Sequence, residues 1–269
     1  MDDIDDLLAA ARSGEPDRQL AAVGALAAAH ARAAVPDLVR LAADSGTDAG
    51  VRVLAVDALA SFGADADRAG PALLAALDAT DELVRSEAAD ALGRLGYQPA
   101  GDALARALAA DPSPLVRVSA AESLGDLADP VHLDPVLAAS ADDDEAVRAY
   151  AAASAGLLGA ADAALRRWAE AEPSPWVRAE LAAAAYRTTA RPADLAELLA
   201  LLDPAGEELA TRLLNTLDDL VTRQPVTPAD ADLAAITTAL NRTTDRHPLL
   251  RGHAETLTSR WTERTAGAS

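Results

Sequence analysis

The sequence predicts an all-α fold: an α-solenoid, a right-handed superhelix of about eight antiparallel helical hairpins. Three observations carry that expectation. A Val-Arg pair recurs as Val51-Arg52, Val84-Arg85, Val116-Arg117, Val147-Arg148 and Val177-Arg178, with arginines 33, 32, 31 and 30 residues apart. A steady period in this range marks stacked structural repeats. Helix start and stop signals recur in step with the pair. The composition, with abundant alanine and only 3% aromatics, suits closely packed helices and leaves little for a sheet.

In chain order, residues 2–12 form a short amphipathic helix with Ile4, Leu7 and Leu8 on one side and an acidic first turn that complements the helix dipole. It pairs with Pro16–His30 as a capping hairpin. There RQLAAVGALA (Arg18–Ala27) matches VRVLAVDALA (Val51–Ala60) without a gap, Gln19 standing in the arginine slot. Four well-patterned hairpins follow, centred on Arg52, Arg85, Arg117 and Arg148. Four residues before each slot stand Glu15, Asp48, Asp81, Ser113, Asp144 and Ser174. All but Glu15 are good N-caps, and Pro16, Pro114 and Pro175 suit the first helical position. Gly63, Gly96, Gly125 and Gly159 read as stop signals. Within the repeat, Val84, Ala88, Ala91, Leu92 and Leu95 make one apolar stripe of helical period. Apolar first helices precede it at Val35–Ala43, Pro71–Ala79 and Asp102–Ala110.

A sixth hairpin, Ala160–Arg187, carries Trp168, Trp176 and Tyr186. Beyond it the pattern loosens. Ala193–Asp203 and Gly206–Thr222 make a pair with Glu208 in the arginine slot. Gln224–Asp230, with two prolines, reads as a linker, and Ala231–Asn241 with Pro248–Thr262 as a last hairpin. The expected organisation is one solenoid over 1–223, a capping hairpin of the same stack over 224–264, and a disordered tail over 265–269.

The unit PALLAALDATDELVRSEAADALGRLG (Pro71–Gly96) has an apolar first helix, an acidic turn and then V-R-x-x-A-x-x-A-L-G. It resembles the HEAT-like repeat family, especially the short repeats also found in phycobilin lyases. The resemblance runs from about residue 15 to 187 and is specific for fold. It implies that the second helices line a concave surface. It leaves activity open, because such repeats serve scaffolds, adaptors and a few enzymes.

Net charge is −20, from 43 acids against 23 bases, every one an arginine. That balance argues against nucleic acid, since neutralising phosphates supplies most of such affinity, and it favours basic partners. A proteome-wide acidic bias produces the same excess. The absence of cysteine removes disulfides, thiol catalysis and cysteine metal sites. The acidic start lacks the order of a secretory signal, and no apolar run is long enough for a bilayer. The expected setting is cytoplasmic, and the expected state is a monomer.

Two residue columns stand out. Arg52, Arg85, Arg117, Arg148 and Arg178 lie in first turns of helices, where a cation opposes the dipole and needs a partner. Carboxylates in the turns, Asp78, Asp81, Asp111, Asp142, Asp144 and Glu172, suit a ladder of Arg–carboxylate bonds tying repeats together; an anion site is the other reading. Five positions beyond the slot stand Asp57, Asp90 and Glu122, with Glu87 beside them: an acidic stripe that either meets a basic partner or is a solvated face. Tyr150 and Glu180 share a mixed column on the same helices. Trp176 shares the column of Leu83 and Leu115, which reads as core at least as readily as surface. His30, His132, His247 and His253 lack ligand spacing, so no metal is expected, and no cofactor fingerprint or catalytic constellation stands out.

These readings favour a non-catalytic interaction scaffold or adaptor binding a basic protein or peptide segment on its concave acidic surface. An immunity- or antitoxin-like protein is one sub-case, a regulatory protein another. The alternative is an enzyme or chaperone acting on a bound small molecule, resembling the HEAT-like bilin lyases. A third possibility, an alkylpurine glycosylase, asks for a basic concave surface that the acidic column does not supply.

Overall fold

The structure is a computed structural model describing residues 4–61, 66–223 and 230–266. Gly63, residues 224–229 of the expected linker and residues 267–269 of the expected tail lie outside them. The described residues form sixteen α-helices and no strand. The fold is an all-α solenoid. By Cα proximity the chain divides into two compact units, Met1–Ala139 and Ser140–Ser269.

The first unit contains α1 (Ile4–Ala11), α2 (Pro16–Ala28), α3 (Val35–Ala43), α4 (Ala49–Ser61), α5 (Ala66–Ala76), α6 (Glu82–Arg94), α7 (Gly101–Ala110), α8 (Pro114–Leu127) and α9 (Leu133–Ala138). Each hairpin packs its own two helices together: α1 on α2, α3 on α4, α5 on α6, α7 on α8. Across repeats, second helices pack on second helices (α2, α4, α6, α8) and first on first (α3 with α5, α7 with α9). Two helical layers result, with the apolar stripes between them. Val51, Val84 and Val116 are fully buried, as are Ala55, Ala88 and Ala120 one turn on.

The second unit contains α10 (Glu145–Leu157), α11 (Asp162–Ala171), α12 (Pro175–Thr189), α13 (Pro192–Leu202), α14 (Glu207–Thr222), α15 (Asp230–Arg246) and α16 (Arg251–Ala266). Second helices again stack, α10 on α12, α12 on α14 and α14 on α16. Its core gathers Tyr186, Leu198, Leu213, Leu217, Ile236 and Trp261. The Tyr186 hydroxyl donates to Asp232 Oδ2 at 2.9 Å. The last two helices are longer than the pattern suggests. No glycine or proline intervenes before Gly267, so α16 continues through Ala266 and takes in the first two residues of the expected tail.

The start signals act unequally. Asp81 accepts from the Leu83 and Val84 amides, Asp144 from Ala146 and Val147, and Ser174 from Val177. Asp48 Oδ1 accepts from Gly50 and Val51. Ser113 makes no side-chain cap, and its amide donates to the Asp111 carboxylate.

The glycines divide into two columns with different tasks. Gly96 and Gly159 end their helices at φ +64° and +78°, where a side chain is strained. Gly125 is not a stop signal: α8 runs on to Leu127, and Ala128 takes the left-handed turn at φ +52°. Gly125 instead shares the column of Gly93 and Gly156, eight residues past the arginine. A Cβ on Gly93 would lie 2.6 Å from Ser123 Oγ and 2.9 Å from Ser123 Cα; one on Gly156 would lie 2.7 Å from Ala184 Cβ. Small residues let second helices approach closely. The same approach brings Ser86 Oγ within 2.9 Å of Ser119 Oγ and lets Ser123 Oγ donate to the Ala89 carbonyl.

Candidate partner-binding face

The arginine column lies where hairpin turns meet, and its members find different partners. Arg85 is bidentate to Asp111, Nε and Nη2 donating at 2.8 and 3.0 Å, while Nη1 donates to the carbonyls of Ala79 and Thr80. Arg148 repeats this on Glu172 at 3.0 and 3.1 Å, with Nη1 on the carbonyls of Asp142 and Asp143. One guanidinium thus holds its own turn and the next. Burial is the largest single influence on Asp111 and Glu172 and raises them, but the arginine hydrogen bonds, the Ser113 and Ser174 amides and the arginine charges together hold both carboxyls below their ordinary values. Arg117 donates to the Asp111 carbonyl, and Arg52 to the Ala42 carbonyl. Arg178 has its Nε buried without a hydrogen-bond partner, and no carboxylate closes on it among the described residues. Asp203, in the turn that follows, is instead 3.2 Å from Arg246 and 3.5 Å from Arg242. The spacing showed the column, but not which turn offers a carboxylate and which a carbonyl.

The outward faces of the second helices form the other candidate. On α6 the residues Leu83, Glu87, Asp90 and Arg94 lie at i, i+4, i+7 and i+11; on α8 their equivalents are Leu115, Ser119, Glu122 and Asp126; on α4 Asp57 is exposed. Leu83 and Leu115 are 55% and 45% exposed. The leucine column is surface, contrary to the core reading, because it falls in the first turn, beyond the buried valine of the apolar stripe. Arg94 changes the electrostatics of the stripe. Its Nη2 donates to Asp57 Oδ1 at 2.9 Å and Glu87 Oε1 at 2.7 Å, bridging two repeats. The nearby Ser119 hydroxyl partly offsets the effect of burial on Asp90. Partial burial, then the like charges of Asp57 and Asp90, raise the Glu87 carboxyl against the pull of Arg94. Burial and Asp126 raise Asp90 in the same way.

In the second unit, Tyr150, Trp176 and Glu180 come together with residues of α14 that the pattern did not single out. Tyr150 meets Trp176 edge-on, centroids 6.2 Å apart and planes at 85°. The Arg212 guanidinium lies 4.1 Å from the centre of the Trp176 ring. Glu180 Oε1 accepts from Thr216 Oγ1 at 2.6 Å and Trp176 Nε1 at 3.2 Å. Burial, aided by Asp219, pushes the Glu180 carboxyl up to about 7. Arg212 was legible only as a residue of a degenerate repeat whose arginine slot holds Glu208. Tyr186 lies in the core rather than on this face. Among the described residues no group of histidine and carboxylate side chains is placed to hold a metal, and no helix is long and apolar enough to cross a membrane.

Comparison with known proteins agrees with this architecture. Residues 70–155 match the family model for HEAT repeats. No curated protein matches the sequence. Among solved structures, the chain is similar to one from the complex of CpcE and CpcF of phycocyanin lyase from Nostoc sp. PCC7120. The two are 21% identical over 86% of this chain and 94% of that one, with a TM-score of 0.61. It is also similar to the Escherichia coli protein YibA, at 16% identity over 91% and 93% of the two chains and a TM-score of 0.56. Likeness at these identities speaks for fold alone. The chain is an all-α solenoid whose residues 70–155 match HEAT repeats.

Proposed function

We propose that this protein is a non-catalytic scaffold or adaptor whose first unit binds a basic protein or peptide segment on the outward faces of α4, α6 and α8. One observation carries the reading. Exposed Leu83 and Leu115 stand in the same column of adjacent helices, directly above Glu87, Asp90, Glu122 and Asp126. Apolar anchors beside carboxylates suit a segment that pairs apolar side chains with lysine or arginine. Its charges would pair with the Glu87 and Asp90 carboxyls and lower them from their raised positions, while its apolar groups would cover the leucines.

The test uses a short amphipathic leucine–lysine peptide, with binding measured by calorimetry at about 0.15 M salt. Wild type is compared with Leu83→Ser/Leu115→Ser and with Asp57→Arg/Asp90→Arg/Glu122→Arg. Both variants should bind at least about tenfold more weakly, with helicity by circular dichroism unchanged. An unaltered dissociation constant in both removes this face from consideration.

A further inference from the structure

We infer that the depression beside Trp176 in the second unit receives an arginine side chain from a protein partner, which replaces Arg212 on the indole face. The depression, about 440 Å³, opens where α10, α12 and α14 begin. Pro175, Trp176 and Leu209 form its apolar wall, and Glu145, Glu207 and Glu208 stand around it, with Arg212 the single base. Three carboxylates against one guanidinium make the site selective for a cation. The flat indole suits a planar guanidinium more than a compact ammonium.

The internal occupant identifies the ligand chemistry. Arg212 shows that a guanidinium fits against this ring at stacking distance, 4.1 Å from its centre. Arg212 is also weakly held. Its ion pair is the i,i+4 contact to Glu208 at 3.0 Å, with side chains 39% and 85% exposed, and exposed pairs of this kind contribute little. Glu207 makes no ion pair among the described residues, so a second cation finds an acceptor without displacing one. The ring itself is firmly set: Trp176 Nε1 donates to Glu180, and Tyr150 supports its edge. A fixed aromatic plate, an acidic rim and a loosely held internal guanidinium together form an anchor pocket for one arginine. This site lies wholly within the second unit and stands independently of the acidic face of the first.

The probe is a triarginine amide peptide, with neutral tricitrulline amide as its near-isosteric control, at about 0.15 M salt. The readout is the Trp176 indole N–H resonance, assigned by its loss in Trp176→Leu, with affinities from anisotropy of the labelled peptide. Triarginine should shift the Trp176 resonance saturably and tricitrulline should not. Arg212→Ala should tighten binding roughly fivefold by vacating the ring, and Trp176→Leu, with every charge intact, should weaken it by a similar factor. The charge reversal at Asp57, Asp90 and Glu122 should leave the Trp176 response in place, which separates this site from the first. Weaker or unchanged binding in Arg212→Ala, full affinity in Trp176→Leu, or a Trp176 resonance that ignores the peptide would overturn the inference.

Discussion

Replacing Arg148 with alanine tests how turns are joined in this fold. The wild-type guanidinium makes two hydrogen bonds to Glu172 and two to the carbonyls of Asp142 and Asp143. The side chains of Arg148 and Glu172 are 14% and 2% exposed, so little water would replace the lost contacts. Glu172 would keep the Ser174 amide and the Trp168 indole N–H as donors, but no cation. Breaking a buried pair from one side costs roughly 3–5 kcal/mol. The remaining solvent contact of Arg148 places this variant near the lower end, about 3 kcal/mol.

The pH dependence gives a second readout. In the wild type the Glu172 carboxyl lies below its ordinary 4.5, so its stabilisation is present above that value and lost as pH falls through the folded pKa. Without Arg148, only the Ser174 amide and the Trp168 indole N–H oppose the effect of burial, so the carboxyl rises from its wild-type position. The deficit of the variant is then greatest at neutral pH and narrows in acid. Urea unfolding is followed by helical circular dichroism and by tryptophan fluorescence, since Trp168 contacts Glu172 directly. Arg148→Ala/Glu172→Gln should recover about 1–2 kcal/mol of the loss by removing the stranded charge. A deficit under about 1 kcal/mol, or one equal at neutral and acid pH, would refute the reasoning.

Three further sets of outcomes follow from the same geometry. Gly93→Ala should destabilise by about 2 kcal/mol in urea unfolding, because its Cβ meets the Ser123 backbone, whereas Gly24→Ala, with nothing within 4 Å, should be neutral or gain about 0.5 kcal/mol. Asp81→Ala should cost about 1 kcal/mol by uncapping α6, and Ser113→Ala clearly less through the missing cap, a contrast that melting curves resolve. Glu180 has its carboxyl raised to about 7, so its environment favours the protonated form and stability falls as pH rises from 4.5 through 7. Glu180→Gln should flatten that slope and, allowing for solvent screening, be about 1–2 kcal/mol more stable relative to wild type on the alkaline side, as read from melting temperature against pH.

Much of the architecture was legible because each hairpin repeats its own instructions. The Val-Arg column, the caps at Asp81 and Asp144 and the alanines at Ala88 and Ala120 all belong to one local pattern. A pattern met five times is hard to mistake. The acidic stripe was legible for the same reason, since helical register alone puts Asp57, Asp90 and Glu122 on one face. Where the repeat decays, so did the reading. Arg212 and Thr216 carry no motif, although they complete the cluster around Trp176.

The sequence by itself determined the helical hairpins, their stacking and the apolar stripe that each second helix buries, because these follow from a 3.6-residue period and a constant repeat. Only the tertiary structure decided the pairings. It set Arg85 and Arg148 on carboxylates, gave Arg52 a carbonyl and, among the described residues, left Arg178 without a carboxylate. It also brought Arg94 between Asp57 and Glu87, exposed Leu83 and Leu115, and laid Arg212 on Trp176. The physical reason is that a hydrogen bond or ion pair needs atoms within about 3 Å. Local pattern puts side chains on the same face, but the packing of neighbouring hairpins sets the separations between them.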